Sequence, residues 1–314
     1  MKSFNLALIS AGFEHGGNVT HRHLDGHPDL LVYPFESQLG NREFNDFLGS
    51  VERVQYRYPE FPEGLTSGEL YESIIDEEMK TLLRKRTGSK FKDADLVLDE
   101  EVRKLRFIEL LGQPPYPRAK VIEAFFRSTF DAWENSKTSV KENSIYVGYS
   151  PAIGIDASRI IKDFPNVKIM HIIRNPFSAY FDTKRRPFPQ PILKYLITWN
   201  IYHSTAEIFT NMFPANVKIF RYEDLVSNKE MFMRGVSEFL GVNFSETMLY
   251  PSWNGEELTG DIAPWGTVLR SSEEYNKEVI DSLSQEEKRI ISSGTSAIAK
   301  HFNYDQISYL KGLY

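Results

Sequence analysis

Cysteine is absent from the 314 residues. Disulfides, thiolate metal sites and cysteine nucleophiles are therefore excluded, and the composition suits a reducing compartment, with the cytoplasm as the expectation. Long apolar runs are missing as well: nothing approaches the ~20 residues needed to cross a bilayer, so no transmembrane segment is expected. The first residues hold one Lys and an apolar run only from Leu6 to Ile9, too short for the core of a secretory leader and better read as a buried strand. Nor is positive charge in excess. There are 37 Lys and Arg against 43 Asp and Glu, a net charge of −6, and the pI is near 5.7. The overall field thus favours neither nucleic acid nor an anionic membrane, and a polyanionic ligand needs a local site. What remains, 41% hydrophobic and 25% charged residues, is ordinary globular composition without repeats or low-complexity segments, and one domain over 1–314 is expected.

The apolar run Asn5 to Ala11 followed by Gly12, then Gly16-Gly17-Asn18 leading into a helical pattern at Val19 to Leu24, reads as strand, loop, helix. From about Gly40 to Pro62 the pattern is irregular and aromatic, a surface excursion placed to cover a cleft. Thr66-Ser67-Gly68-Glu69 has capping-box spacing and predicts a helix running through Arg84-Lys85-Arg86 to Gly88. Helices near Glu100 to Leu111 and Arg118 to Trp133 complete a helical insertion at about 66–140. Beyond it, strand-like runs at Ile145 to Tyr149 and Val167 to Ile173 flank a helical segment at Asp156 to Asp163, the spacing of a βαβ crossover and so of a parallel sheet. A long helix from Pro191 to Phe213, a strand at Val217 to Arg221, a helix from Asn228 to Leu240 ending at Gly241, and a last helix opened by the capping box Ser284-Gln285-Glu286-Glu287 follow.

The loop Gly12-Phe13-Glu14-His15-Gly16-Gly17-Asn18-Val19 has glycines at the two positions of a Walker A loop, but Asn18 and Val19 stand where Lys and Ser or Thr belong. Without that Lys and hydroxyl, nucleoside triphosphate hydrolysis is poorly supported. The generic device survives: glycines let backbone N–H groups face an anion, and the helix from Asn18 points its positive end there.

With His23-Leu24-Asp25-Gly26-His27-Pro28-Asp29 following this loop, the chain resembles the sulfotransferases that use 3′-phosphoadenosine 5′-phosphosulfate (PAPS). Three further segments agree in order and spacing. Phe164 to Pro176, ending Arg174-Asn175-Pro176, is similar to the family's strand whose Arg, with a later Ser, binds the 3′-phosphate. Arg221-Tyr222-Glu223-Asp224-Leu225 with Phe239-Leu240-Gly241 resembles a block that is mainly architectural, and Pro264-Trp265-Gly266-Thr267 with Arg270 a late loop closing over the nucleotide. The resemblance implies a three-layer α/β fold, a central parallel sheet flanked by helices in the manner of P-loop nucleotide-binding proteins. It also implies an enzyme moving a sulfuryl group from PAPS, with PAP as product, to a hydroxyl of a carbohydrate or small-molecule acceptor by in-line attack, without a metal.

Carried over residue by residue, the resemblance puts the donor against Gly16, Gly17, Asn18, Val19, Thr20, Arg174, Asp182, Trp265 and Arg270. Trp265 either stacks on adenine or fills core, and Arg270 grips the 3′-phosphate. Two positions depart from the pattern. His15 stands where the family carries Lys or Arg, and substitutes for it only while protonated. Asp182 stands where Ser is usual, and a carboxylate there repels a phosphate unless Thr183, a shifted helix or Lys184, Arg185 and Arg186 compensate. For the base, Glu36 is the first choice, since Tyr33-Pro34-Phe35-Glu36 follows the first helix where family members place a carboxylate; His27 is the alternative. Two other readings stay open: a protein of this fold that binds an anion or glycan without turnover, and a metalloenzyme built on His15, His21, His23 and His27, for which no third carboxylate at zincin spacing is present.

Overall fold

Seven residues, Asn5–Ala11 (β1), form the centre of the molecule because nearly all are apolar and a parallel strand buried on both faces tolerates little else. Successive side chains go to opposite faces: Leu6 and Leu8 join one core, while Ala7, Ile9 and Ala11 join another. Each fully buried Leu or Ile contributes roughly 1.5–3 kcal/mol. The structure, a computed structural model, describes residues 4–43, 46–50, 52–258, 262–263, 266–267 and 273–314.

After β1 come Gly17–Leu24 (α1) and Leu30–Val32 (β2), then four helices, Ser67–Ser73 (α2), Glu77–Arg84 (α3), Glu100–Leu111 (α4) and Arg118–Ala132 (α5). The second half alternates: Ile145–Tyr149 (β3), Ala157–Asp163 (α6), Lys168–Ile173 (β4), Pro176–Lys184 (α7), Ile192–Met212 (α8) and Val217–Arg221 (β5). Tyr222–Ser227 (α9), Lys229–Leu240 (α10), Glu273–Asp281 (α11) and Gln285–His301 (α12) follow. The five strands make one parallel sheet in the order β2-β3-β1-β4-β5. The chain leaves β1 toward β2 on one side and leaves β4 toward β5 on the other. Neighbouring strands whose connections diverge open a crevice at their carboxyl ends, where ligands of α/β sheets bind. The loops after β1 and β4 meet there. Among the described residues no helix is long and apolar enough to cross a membrane.

Two expectations from the sequence are corrected. The helix opened at Thr66 does not run to Gly88; its capping box forms, but α2 stops at Ser73 and α3 starts at Glu77. The N–H groups of Ile75 and Asp76 donate instead to the carbonyls of Gly40 and Gln38, Asp76 adopts φ 38°, and Lys80 Nζ donates to the carbonyls of Tyr71 (2.8 Å) and Ile74 (2.5 Å) that the broken helix leaves open. Nor is the segment from Gly40 to Pro62 purely a surface excursion. Arg57, 1% exposed, is sunk into a bidentate pair with Asp156 (2.8 and 2.9 Å) and a second with Asp46 (2.9 Å), fastening the segment to the turn after β3.

Candidate active site

Gly16, in the left-handed region at φ 86°, caps α1 without a side-chain hydrogen bond, and no acidic residue occupies the first turn. The N–H groups that open α1 therefore keep their positive end for an incoming anion. Packing demands the glycines as much as the turn does: a Cβ on Gly16 would lie 2.2 Å from the Tyr222 ring, and one on Gly17 2.5 Å from the Tyr149 ring. The next residues divide. Asn18 is exposed to the cleft, Val19 packs against the core, and Thr20 is buried with its hydroxyl given to the Gly16 carbonyl at 3.0 Å. Thr20 thus holds the loop's shape and does not face a ligand.

His15 is buried beneath the loop, and this corrects its expected role as a cation. Nδ1 lies 2.7 Å from the Phe13 carbonyl, which can only accept, so the proton sits there and Nε2, which has no partner, is a bare lone pair. Burial, reinforced by the nearby Arg174 charge, pushes the imidazole down to about 4. At neutral pH His15 is uncharged. Its neighbours are distant in sequence: His203 lies 5.1 Å away ring to ring, and His203 Nδ1 is 2.8 Å from His171 Nε2.

The four sequence-near histidines do not converge. His21 Nδ1 meets Arg22 at 2.7 Å, His23 donates to the Met248 carbonyl at 2.9 Å, and His27 spends both nitrogens, Nε2 on the Asn243 carbonyl (2.8 Å) and Nδ1 on the Asp29 N–H (3.1 Å). His27 has no lone pair left for a substrate proton, which removes it as a base. Among the described residues no group of three or more His, Asp or Glu is placed to hold a metal ion.

Across the crevice, Arg174 follows β4 and is 6% exposed. Its Nη1 donates to the Glu14 carbonyl and to Asp182 Oδ2, both at 2.8 Å, its guanidinium lies over the Tyr222 ring at 5.2 Å, and its buried Nε has no partner. Asp182 also accepts from the Tyr275 hydroxyl at 3.3 Å. The residue that replaces the expected Ser has therefore taken the Arg for itself. Three of the proposed compensations are otherwise engaged: Thr183 gives its hydroxyl to the Ala179 carbonyl, Lys184 pairs with Glu287, and Arg186 pairs with Glu14, while Arg185 is exposed and lies over the Phe181 ring. Glu223 holds this corner, accepting from the backbone and side chain of Asn175 (2.8 and 3.0 Å) and from Tyr304 (3.0 Å).

Glu36 lies beside the loop in a cleft of about 30 Å³, room for a water or two, shared with Asn18, Arg22, Glu78, Lys90 and Phe91. Withdrawal from water, and then the negative charge of Glu78, push the Glu36 carboxyl up to about 8, against the opposing pull of Lys90 and the Tyr56 hydroxyl. Asn18 and Glu36 are thus brought together, and Arg174 joins the loop through Glu14. Trp265 and Arg270 lie outside the described residues. Glu78 and Lys90, which share this cleft, were not singled out in the sequence, since only the break before α3 brings them in, while Tyr222, in the block expected to be architectural, packs against Gly16.

The sulfotransferase family model matches residues 16–246. In structure the chain is similar to the sulfotransferase domain of the Synechococcus PCC 7002 olefin synthase, with a TM-score of 0.58 at 18% identity over 97% of each chain. It is also similar to the sulfotransferase domain from the curacin biosynthetic pathway, with a TM-score of 0.56 at 16% identity over 96% of this chain and 98% of that one. No curated protein sequence matches the chain significantly. At these identities the structural likenesses speak for the fold alone, a parallel sheet flanked by helices with the anion loop after its central strand, and the family model, spanning more than half of the residues, adds that the chain belongs to the sulfotransferase family.

Proposed function

We propose that the protein moves a sulfuryl group from PAPS to a hydroxyl of a carbohydrate or small-molecule acceptor, acting as a single sulfotransferase-like domain whose α2–α5 insertion walls the acceptor side. The observation that carries this reading is that Glu36, a carboxyl raised toward neutral pH, lines the same cleft as Asn18 at the mouth of the anion loop. When bound, PAPS would supply the sulfuryl group and a leaving phosphate. The N–H groups of Gly17, Asn18 and Val19 hold the anionic oxygens, and Glu36 removes the hydroxyl proton. Neutral His15 contributes no charge and stiffens the loop from below. Arg174, with its unpartnered Nε, supplies the fixed positive charge.

The Arg174–Asp182 pair favours one competing reading, a family member that binds an anion without turnover. Calorimetry with PAP, together with transfer of labelled sulfate from PAPS to a panel of sugars and simple alcohols, separates the two. PAP heat with transfer supports the enzyme, PAP heat alone the competing reading, and no heat at millimolar PAP sinks the PAPS reading. Asp182→Ser releases Arg174 and restores a hydroxyl, and is expected to tighten PAP binding by about tenfold, ~1.4 kcal/mol. Unchanged or weaker binding would mean that Arg174 does not meet the nucleotide.

A further inference from the structure

We propose that Glu36 and Glu78 form a carboxylate dyad sharing one proton, in which Glu78 is a positioning residue and Lys90 fixes the ionised carboxylate on Glu78. This deepens the reading above and rests on Glu36 being the base.

The two carboxylates are 42 residues apart in sequence and joined through the backbone: the Glu36 N–H donates to Glu78 Oε2 at 3.1 Å. Glu78 Oε1 meets Lys90 Nζ at 2.6 Å. Glu78 is also the second residue of α3, at the positive end of that helix, which favours an anion. Gln38 binds the two sides together, its Oε1 accepting from the N–H groups of Glu77 and Glu78 (2.8 and 3.4 Å) while its Nε2 reaches Glu36 Oε2 at 3.5 Å. Three favourable contacts therefore stabilise charge on Glu78, whereas on Glu36 the charge of Lys90, the Tyr56 hydroxyl and the long Gln38 contact are outweighed by burial and by the Glu78 charge. When one proton is present, it rests on Glu36.

The other groups facing the pair do not reverse this. Arg22 comes from α1, Tyr149 from β3 and Tyr56 from the segment after β2, and Asp76, before α3, is neutralised by Arg103 at 2.7 Å. Burial raises both carboxyls, and they titrate as a pair. With both ionised beside one ammonium, Glu36 is a stronger base than a lone carboxylate. It takes the hydroxyl proton while the new O–S bond forms and the donor's bridging S–O bond breaks, the electron pair leaving on the donor phosphate. The dyad passes from two negative charges to one, and the proton stays on Glu36.

The test is an infrared pH titration of the protonated carboxyl band on the full chain, without donor or acceptor, so its outcome is separate from that of the PAP experiment. Wild type is expected to lose one carboxyl signal with a midpoint at about 8, and Glu36→Gln to lack that signal. Glu78→Gln removes the repelling charge and should move the midpoint down by about one unit or more, whereas Lys90→Met removes the attracting charge and should move it up. Opposite shifts are what a general disturbance of the cleft would not produce. No carboxyl titrating in this range in wild type, or both variants shifting the same way or not at all, overturns the proposal. Should Glu78→Gln fail to fold, Lys90→Met, on the exposed rim, carries the test with an unshifted or lowered midpoint as the refuting result.

Discussion

Glu36→Gln is expected to lower kcat/KM for sulfuryl transfer by about 10²- to 10⁴-fold, the usual contribution of a positioned base, while PAP affinity stays within a factor of two or three. The split follows from the geometry. Glu36 faces the cleft beside Asn18, whereas the proposed anion site lies at the N–H groups opening α1, with Arg174 across the crevice. Wild-type activity should rise with pH as Glu36 ionises, through about 8, and the variant should lose that limb. Stability moves the other way. A carboxyl whose folded pKa is raised binds its proton more tightly folded than unfolded, so its contribution is fully present below the ordinary Glu value and is lost as pH rises through about 8. Glu36→Gln carries no such titration, and its melting temperature should match wild type near pH 5 and exceed it near pH 9. A variant with normal turnover and an unchanged pH profile would eliminate Glu36 as the base.

The parts of this fold that depend on local pattern were legible. β1, β3, β5 and α4 begin and end where apolar runs, glycines and caps place them, at Asn5–Ala11, Ile145–Tyr149, Val217–Arg221 and Glu100–Leu111. β2 was not, because three residues, Leu30–Val32, are too few to show a period, and they pair only because β3 runs alongside. The site divides the same way. The glycine loop between β1 and α1 was readable from residue type and order, and the place of Glu36 beside it was expected from the resemblance alone, but the state of His15 was not readable, since its neutrality comes from burial and from Arg174, 159 positions away. The Asp182 conflict was visible as a charge in the wrong place. Its resolution, a carboxylate pairing with the Arg eight residues earlier and braced by Tyr275, required three dimensions.

Arg103→Met is expected to be the most destabilising single change outside the catalytic groups, lowering the unfolding free energy by about 3–5 kcal/mol. Arg103 is fully buried in α4. Its Nη1 donates to Asp76 Oδ2 at 2.7 Å, its Nη2 to the Tyr33 hydroxyl at 3.2 Å and its Nε to Thr129 Oγ1 at 3.0 Å, and it lies between the rings of Phe125 and Tyr71. Methionine fills much of that volume, so the lost term is mainly the charge. Asp76, equally buried, would lose its ion pair and keep the Tyr33 hydroxyl, at 2.9 Å, and the nearby charge of Lys80, and a carboxylate so weakly compensated in such a place is costly. Asp76→Asn combined with Arg103→Met should recover a large part of the loss, because Asn removes the orphaned charge and tolerates the positive φ. Urea titration of the two variants decides the matter: equal destabilisation by both would assign the cost to packing. The consequence reaches the active site, because Asp76 sets the start of α3 and Glu78 follows it by two residues. The carboxylate left unpaired on Asp76 adds negative charge beside Glu78, so Arg103→Met should raise the Glu36 titration midpoint, opposite to Glu78→Gln, from a position that touches neither carboxylate.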